Sequence, residues 1–279
     1  MDAINLALLP PLDVVEQVDY ETILAATAET AGIENLSPSD PQYRIALACA
    51  YRESLVRQDA NEQARGLMLA FATGPQLDHI GVTYYKQPDG SPVTRLDGEE
   101  DDDYRLRLQA SPEGLSVAGP EAAYQFHAKS ASALVKDIGV DSPEPVTVDL
   151  YVLSYAADGV PDAELLNAIA NYLEPRRPLT DYVRVNAAEI VAYSLSVVLD
   201  VKPGPDPELV RQLAEKNLTA YVELRRVLGG RVTASGIYAA VMVEGVEEAN
   251  LGDWVDVLCT KQQAPYCNDL AVTLGGNNG

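Results

Sequence analysis

Leu115-Ser116-Val117-Ala118-Gly119-Pro120-Glu121, Val146-Thr147-Val148-Asp149-Leu150-Tyr151-Val152-Leu153 and Arg177-Pro178-Leu179-Thr180-Asp181 punctuate the stretch from 115 to 186, whose reading decides the fold. Gly119 and Pro120 predict a helix start with proline at the first helical position, where no amide hydrogen is needed and φ is already helical. Val146, Val148, Leu150 and Val152 alternate with Thr147, Asp149, Tyr151 and Leu153, the period-two signal of a strand with one strongly apolar face. From Pro161 the period becomes helical: Leu165, Leu166, Ile169, Tyr172 and Leu173 share a side, with Asp162 and Glu164 in the first turn. The expected order is helix, strand, strand, helix, strand, a compact α/β unit. Nothing in it is arranged for chemistry.

Working outward, the chain has 279 residues, 47% of them hydrophobic, enough for a substantial core and roughly two domains of about 150 residues. Fifteen tyrosines stand against two phenylalanines and one tryptophan. Most read as core-edge residues, although tyrosine also suits surfaces buried only on assembly. A net charge of −22 disfavours phosphate backbones and anionic membranes, so neither nucleic acid nor membrane is expected as a partner. No apolar run approaches the roughly 18 to 20 residues of a bilayer span. The first eleven residues lack a basic segment and end in Pro10-Pro11, so no secretory signal is expected, and folding in a cytoplasm follows.

Before the central unit, Asp13 to about Thr73 reads as helices. Asp19 caps a run bearing Ile23, Leu24 and Ala28, and Gly32 closes it. After Pro41, Ile45, Leu47, Ala48, Tyr51, Leu55 and Val56 recur with Ala64, Leu67, Met68 and Phe71 on one long helix or two in line. Gly74 and Pro75 read as a helix stop. Residues 86–103 read as a flexible loop ending in Asp97-Gly98-Glu99-Glu100-Asp101-Asp102-Asp103, a solvated acidic run, with a short helix from Tyr104.

After the central unit, Val191, Tyr193, Leu195, Val197, Leu199 and Val201 predict a long strand, either covered on both sides or engaged in an interface. Asp206-Pro207-Glu208 starts a helix whose apolar face is Leu209, Val210, Leu213, Leu218, Tyr221 and Val222. Ala234 to Val243 is a further helix, and residues 245–251 a strand. The tail offers two strand pieces, Trp254 to Leu258 and Leu270 to Leu274, separated by residues 262–267, and either adds to the preceding sheet or reaches a neighbour. Residues 275–279 read as frayed.

No catalytic, cofactor-binding or metal-binding residue is singled out. His79 beside Asp78 has no nucleophile or second histidine at a recognisable spacing and reads as structural. His127 reads as a core or interface histidine. Arg176 and Arg177 offer a carboxylate or phosphate clamp, but Pro178 fixing a turn, with Thr180 and Asp181 satisfying backbone donors, is the favoured reading. The acidic run lacks the alternating ligands of a calcium loop, and no phosphate loop occurs. Cys49 reads as a small buried residue, while pairing of Cys259 with Cys267 stays open.

Leu115-Ser116-x-Ala118-Gly119-Pro120-Glu121-Ala122-Ala123-Tyr124-x-Phe126-His127-Ala128, Asp141-Ser142-Pro143, Val152-Leu153-Ser154 and Arg177-Pro178-Leu179-Thr180-Asp181, in this order and spacing, resemble the baseplate assembly protein J family of contractile-tailed phages and tailocins. Residues 9–16 also look like the family's N-terminal end, and a segment similar to 72–81 ends the family's helical arm. Two departures are visible: family members often carry a glycine between the proline near 145 and the strand, and here the turn before Arg177 is lengthened by Glu174-Pro175-Arg176.

The fold expected is α+β, an N-terminal helical arm followed by two small α/β sandwich-like domains and a short C-terminal β extension, with boundaries at 1–110, 111–187, 188–253 and 254–279. The resemblance implies a non-enzymatic wedge subunit in the virion tail baseplate or a tailocin particle, assembled in the host bacterial cytoplasm, ringing the hub and passing on the change that triggers sheath contraction. Implied partners are other copies of the chain, a baseplate protein I-like wedge companion and a W-like sheath initiator, with hub and tail fibres contacted indirectly. The arm is expected to bundle with partners, and the loop at 86–103 to let it take different angles.

Overall fold

The computed structural model describes residues 6–116, 118–156, 158–204 and 206–275. The chain divides into two compact units, one of Met1–Arg95 with Glu100–Ser111, the other of Leu96–Glu99 with Pro112–Gly279.

The first unit is helical. α1 (Tyr20–Ala31) begins where the Asp19 carboxylate accepts the Thr22 amide and ends at Gly32, whose φ of 66° only glycine adopts without cost. α2 (Pro41–Arg65) is one uninterrupted helix of 25 residues. It turns alanines, not its large residues, inward: Ala46 and Ala50 are buried, whereas Ile45, Tyr51, Leu55 and Val56 are exposed. Cys49, expected inside, is exposed on the same helix.

α3 (Gly74–Tyr84) corrects the reading of Gly74 and Pro75 as a stop. They open this helix behind the N-cap Thr73, and the free Gly74 amide donates to the Asp101 carboxylate at 3.0 Å. The acidic run is likewise not all loop. Asp101, Asp102 and Asp103 form the first turn of α4 (Asp101–Ala110), where the helix dipole favours carboxylates.

Residues 86–95 are held against the helices of this unit. Lys86 bridges to Pro92, Val93 is fully buried, and the Tyr104 hydroxyl donates to the Val93 carbonyl at 2.7 Å. Arg95 pairs with Asp78 at 2.7 Å and Asp101 at 2.6 Å, and Arg107 donates to the Thr94 carbonyl at 2.7 Å. Gly81 leaves room for the Tyr104 ring, which Arg95 and Arg107 both approach through its π face at 4.8 and 5.2 Å.

In the second unit α5 (Glu121–Lys129), β1 (Val135–Asp141), β2 (Thr147–Ser154), α6 (Ala163–Leu173) and β3 (Tyr182–Ala187) follow the expected order. β2 is central, antiparallel to β1 and parallel to β3. Leu150 and Val152 meet Tyr124 and Ala128 of α5 and Leu165, Ile169 and Leu173 of α6 in one core. Each of the leucine, isoleucine and valine side chains removed from water here contributes about 1.5 to 3 kcal/mol. The opposite face of β2 is covered too: Leu153 is buried, and Asp149 is buried against Arg184 at 2.5 Å. Pro120 sits at the N-cap of α5, extended at ψ 155°, one position before the first helical residue where it was expected.

β4 (Glu189–Val201) is the centre of a second sheet, antiparallel to β6 (Val246–Asn250) and parallel to β8 (Gln263–Leu274). α7 (Pro207–Arg225) and α8 (Ala234–Val241) cover one face, burying Leu195, Val197 and Leu199 against Val210, Leu218 and Ile237. The other face of β4 is open at Ser194, Ser196 and Val198, so the strand is not covered on both sides. On α7 the inward residues are Val210, Ala214 and Leu218, while Leu209 and Leu213 face solvent. β5 (Arg231–Val232) pairs with β7 (Val257–Leu258). The tail joins the preceding sheet, and residues 263–267, read as a separator, are the first half of β8. Pro265 is tolerated there because β8 is an edge strand.

Candidate assembly surfaces and the meeting of the motifs

The α1–α2 hairpin has a small core. Ile23 and Ala28 of α1 and Ala46 and Ala50 of α2 are its buried apolar residues. Against them, Ile45 and Val56 on α2 are 65% and 62% exposed. A shallow groove of about 460 Å³ runs beside α1, lined by Thr22, Ala26 and Thr30 and walled by Glu53 and Arg57. Exposed large apolar side chains on one helix make it a candidate surface for burial on assembly.

The strap before α1 is fixed by one buried residue that sequence reasoning missed. The Asn61 side-chain carbonyl accepts the amides of Val14 and Val15, each at 2.8 Å, and its amide group donates to the Val15 carbonyl at 2.8 Å. Arg57 donates to the Glu16 carbonyl at 3.3 Å, and Arg65 pairs with Asp13. The neighbouring Asp59, Glu62 and Gln63 are also polar, so no local sequence signal marks Asn61.

In the second unit the sequence motifs converge. The Tyr124 hydroxyl donates to the Asp181 carboxylate at 2.7 Å. Gly119, at φ 71°, lies so close to Pro178 and Asp181 that a Cβ there would meet both. Burial, and then the Asp181 hydrogen bond, push the Tyr124 phenol above its ordinary range. Arg177 grips Glu174 at 2.7 Å and donates to the Asp181 carbonyl at 2.8 Å, holding its own turn rather than presenting a clamp. Asp181 takes the Tyr124 and Thr180 hydroxyls, not the backbone donors expected of it. Leu179, at the tip of this turn, is 96% exposed.

Other singled-out residues stay apart from any reactive arrangement. His79 is exposed on α3, and its neighbour Asp78 is engaged by Arg95. His127 is buried edge-on to Phe126, with Nδ1 lacking a hydrogen-bond partner among the described residues. Burial, then the Arg176 charge, lower its pKa, while a hydrogen bond to the Gly114 backbone works the other way. Cys259 and Cys267 are free thiols whose pKa values burial raises. The carboxylates of the acidic run are divided among Arg95, the Gly74 amide, Arg105 and the Leu96 amide, and so do not converge. Among the described residues no helix is long and apolar enough to cross a membrane.

Residues 38–87 match the baseplate J-like N-terminal domain and residues 116–187 the baseplate J-like central domain. Along its whole length the chain is similar to baseplate protein J of Escherichia phage P2, with 40% identity over 303 aligned positions covering 100% of both proteins. The chain belongs to the baseplate J family. Its role is accordingly structural, as a component of a phage-tail baseplate in the class of contractile injection systems. The baseplate J central domain spans the junction in which Gly119, Tyr124, Pro178 and Asp181 meet, and its N-terminal domain spans α2 and α3. A chain in the cryo-EM structure of the anti-feeding prophage baseplate, six-fold symmetrised, shows a distant likeness at 14% identity and a TM-score of 0.39. That likeness covers 54% of this chain and 36% of that one.

Proposed function

We propose that this baseplate J protein is a wedge subunit that joins its neighbours into the ring around the central hub and passes on the rearrangement that releases sheath contraction. The observation that carries this reading is the unfinished arm: α1 and α2 cover alanines with each other and leave Ile45, Tyr51, Leu55 and Val56 in water. Partners fitting such a surface are other copies of the chain, a baseplate protein I-like companion and a W-like sheath initiator, with hub and fibres reached through them. The working parts are the arm at 1–110, a first α/β part at 111–187 and a second from 188 that takes in the C-terminal strand. The reading places the protein in the tail baseplate of a virion or in a tailocin, assembled in the host cytoplasm, and gives it no catalytic step.

The test is a double substitution, Ile45→Glu with Val56→Glu, in the full chain co-expressed with the companion. Two charges placed on an assembled apolar surface abolish co-purification, while helical content is unchanged because both positions are exposed. Undiminished co-purification would remove the arm from the assembly.

A further inference from the structure

The two sheets of the second unit are joined without a free residue between them. β3 ends at Ala187 and β4 begins at Glu189. The intervening Ala188 is buried, and its amide donates to the Val152 carbonyl at 2.9 Å, continuing the ladder of β3 on β2. The next amide, Glu189, donates to the Gln262 carbonyl at 2.9 Å and opens the ladder of β4 on β8. One extended strand thus changes partner within a single residue. Bending there would break two ladders, and a hinge needs residues whose φ and ψ are free to change.

Side chains brace the same joint. Leu153, Ala188 and Ala264 form a small core with Ile190 and Leu228 packed on it. The Leu228 amide donates to the Asp137 carboxylate at 3.0 Å, and Asp137 also pairs with Lys129 at 3.2 Å. Lys136, mostly buried, pairs with Glu223 and lies 5.6 Å from the Tyr155 ring centre. Arg226 reaches the Ala156 carbonyl at 3.3 Å. Gly139 of β1 lets the Lys261 carbonyl approach so closely that a Cβ would collide with it.

We propose that the two sheets of the second unit form a single stiff lever, in which the strand switch at Ala188 and the braces around Gly139 and Lys136 forbid a hinge between them. Displacement imposed on one sheet is delivered undiminished to the other. The stiffness belongs to the chain itself and stands whichever partners the wedge reading gains or loses.

Native-state hydrogen exchange of the full-length chain across a denaturant series tests it. The amides of β2, Leu150 and Val152, and those of β4, Leu195, Val197 and Leu199, are expected to lose protection together, with rates within about threefold at every concentration. A flexible insert of Gly-Gly-Ser between Ala187 and Ala188, or Gly139→Val, is expected to separate the two sets by at least about tenfold. Separate loss of protection in the wild-type chain would overturn the lever. So would an insert that folds and leaves the two sets merged. If neither variant folds, the wild-type series alone decides.

Discussion

Tyr124 on the helix after Gly119 and Asp181 in the turn before β3 stand 57 positions apart and share a hydrogen bond of 2.7 Å. That bond ties the first motif of the central domain to its last. Tyr124→Phe keeps the ring in the core and removes only the donor to a charged acceptor. The expected loss is about 1.5 to 3 kcal/mol in chemical denaturation.

The same pair sets an alkaline limit. The Tyr124 phenol is held above the ordinary tyrosine value of 10.0 by burial and by Asp181, and burial also raises Tyr193, Tyr85 and Tyr151. The unfolded chain releases these protons first, so their contribution is complete below about pH 10 and declines as pH rises above it. Denaturant titrations between pH 8 and about pH 11 are expected to show a flat region and then a fall, shallower in Tyr124→Phe.

His127 acts at the other end. Its folded pKa lies below the ordinary value of 6.5, through burial first and the Arg176 charge second. The unfolded chain therefore takes up the proton first, and stability present above about pH 6.5 is lost as pH falls below it. His127→Gln is expected to flatten the stability profile just below that pH, where carboxylates have not begun to titrate. An unchanged slope would show that His127 binds its proton equally in both states.

Val146 has φ 63° and is the one non-glycine residue with positive φ among those described. A β-branched residue is strained there, and the side chain is 63% exposed, so little burial offsets the cost. Val146→Gly is expected to stabilise the chain by about 1 kcal/mol, the relieved strain exceeding the added entropy of the unfolded glycine. A melting temperature that falls would contradict this.

Much of the fold was legible because its signals are local. Asp19 and Asp206 accept amides from Thr22 and Glu208 within three residues, as the caps expected of α1 and α7. Asp162, expected in the first turn of α6, is its N-cap and accepts the Leu165 amide. The errors lie where distant groups decide. Gly74 and Pro75 suit either end of a helix, and the Asp101 carboxylate on the Gly74 amide selects the start. Pro265 reads as a breaker until β8 is seen to be an edge strand. Periodicity found the large apolar residues of α2 but not which side faces inward, because α1 packs on Ala46 and Ala50. The motif junction was legible as two motifs; that Tyr124 and Asp181 join them was not.

Asn61 offers a test confined to the arm. Asn61→Ala removes the group holding Val14 and Val15, and the amides of those two residues are expected to exchange much faster, with about 2 to 3 kcal/mol lost from the arm. Exchange at β4 should not change.

The proposed wedge role requires that the arm of this baseplate J protein be completed by other subunits. Native mass spectrometry of the chain alone and co-expressed with candidate wedge companions tests it most directly. A wedge subunit is expected to give a defined hetero-oligomer containing more than one copy of this chain. A stable monomer that ignores every companion would contradict it.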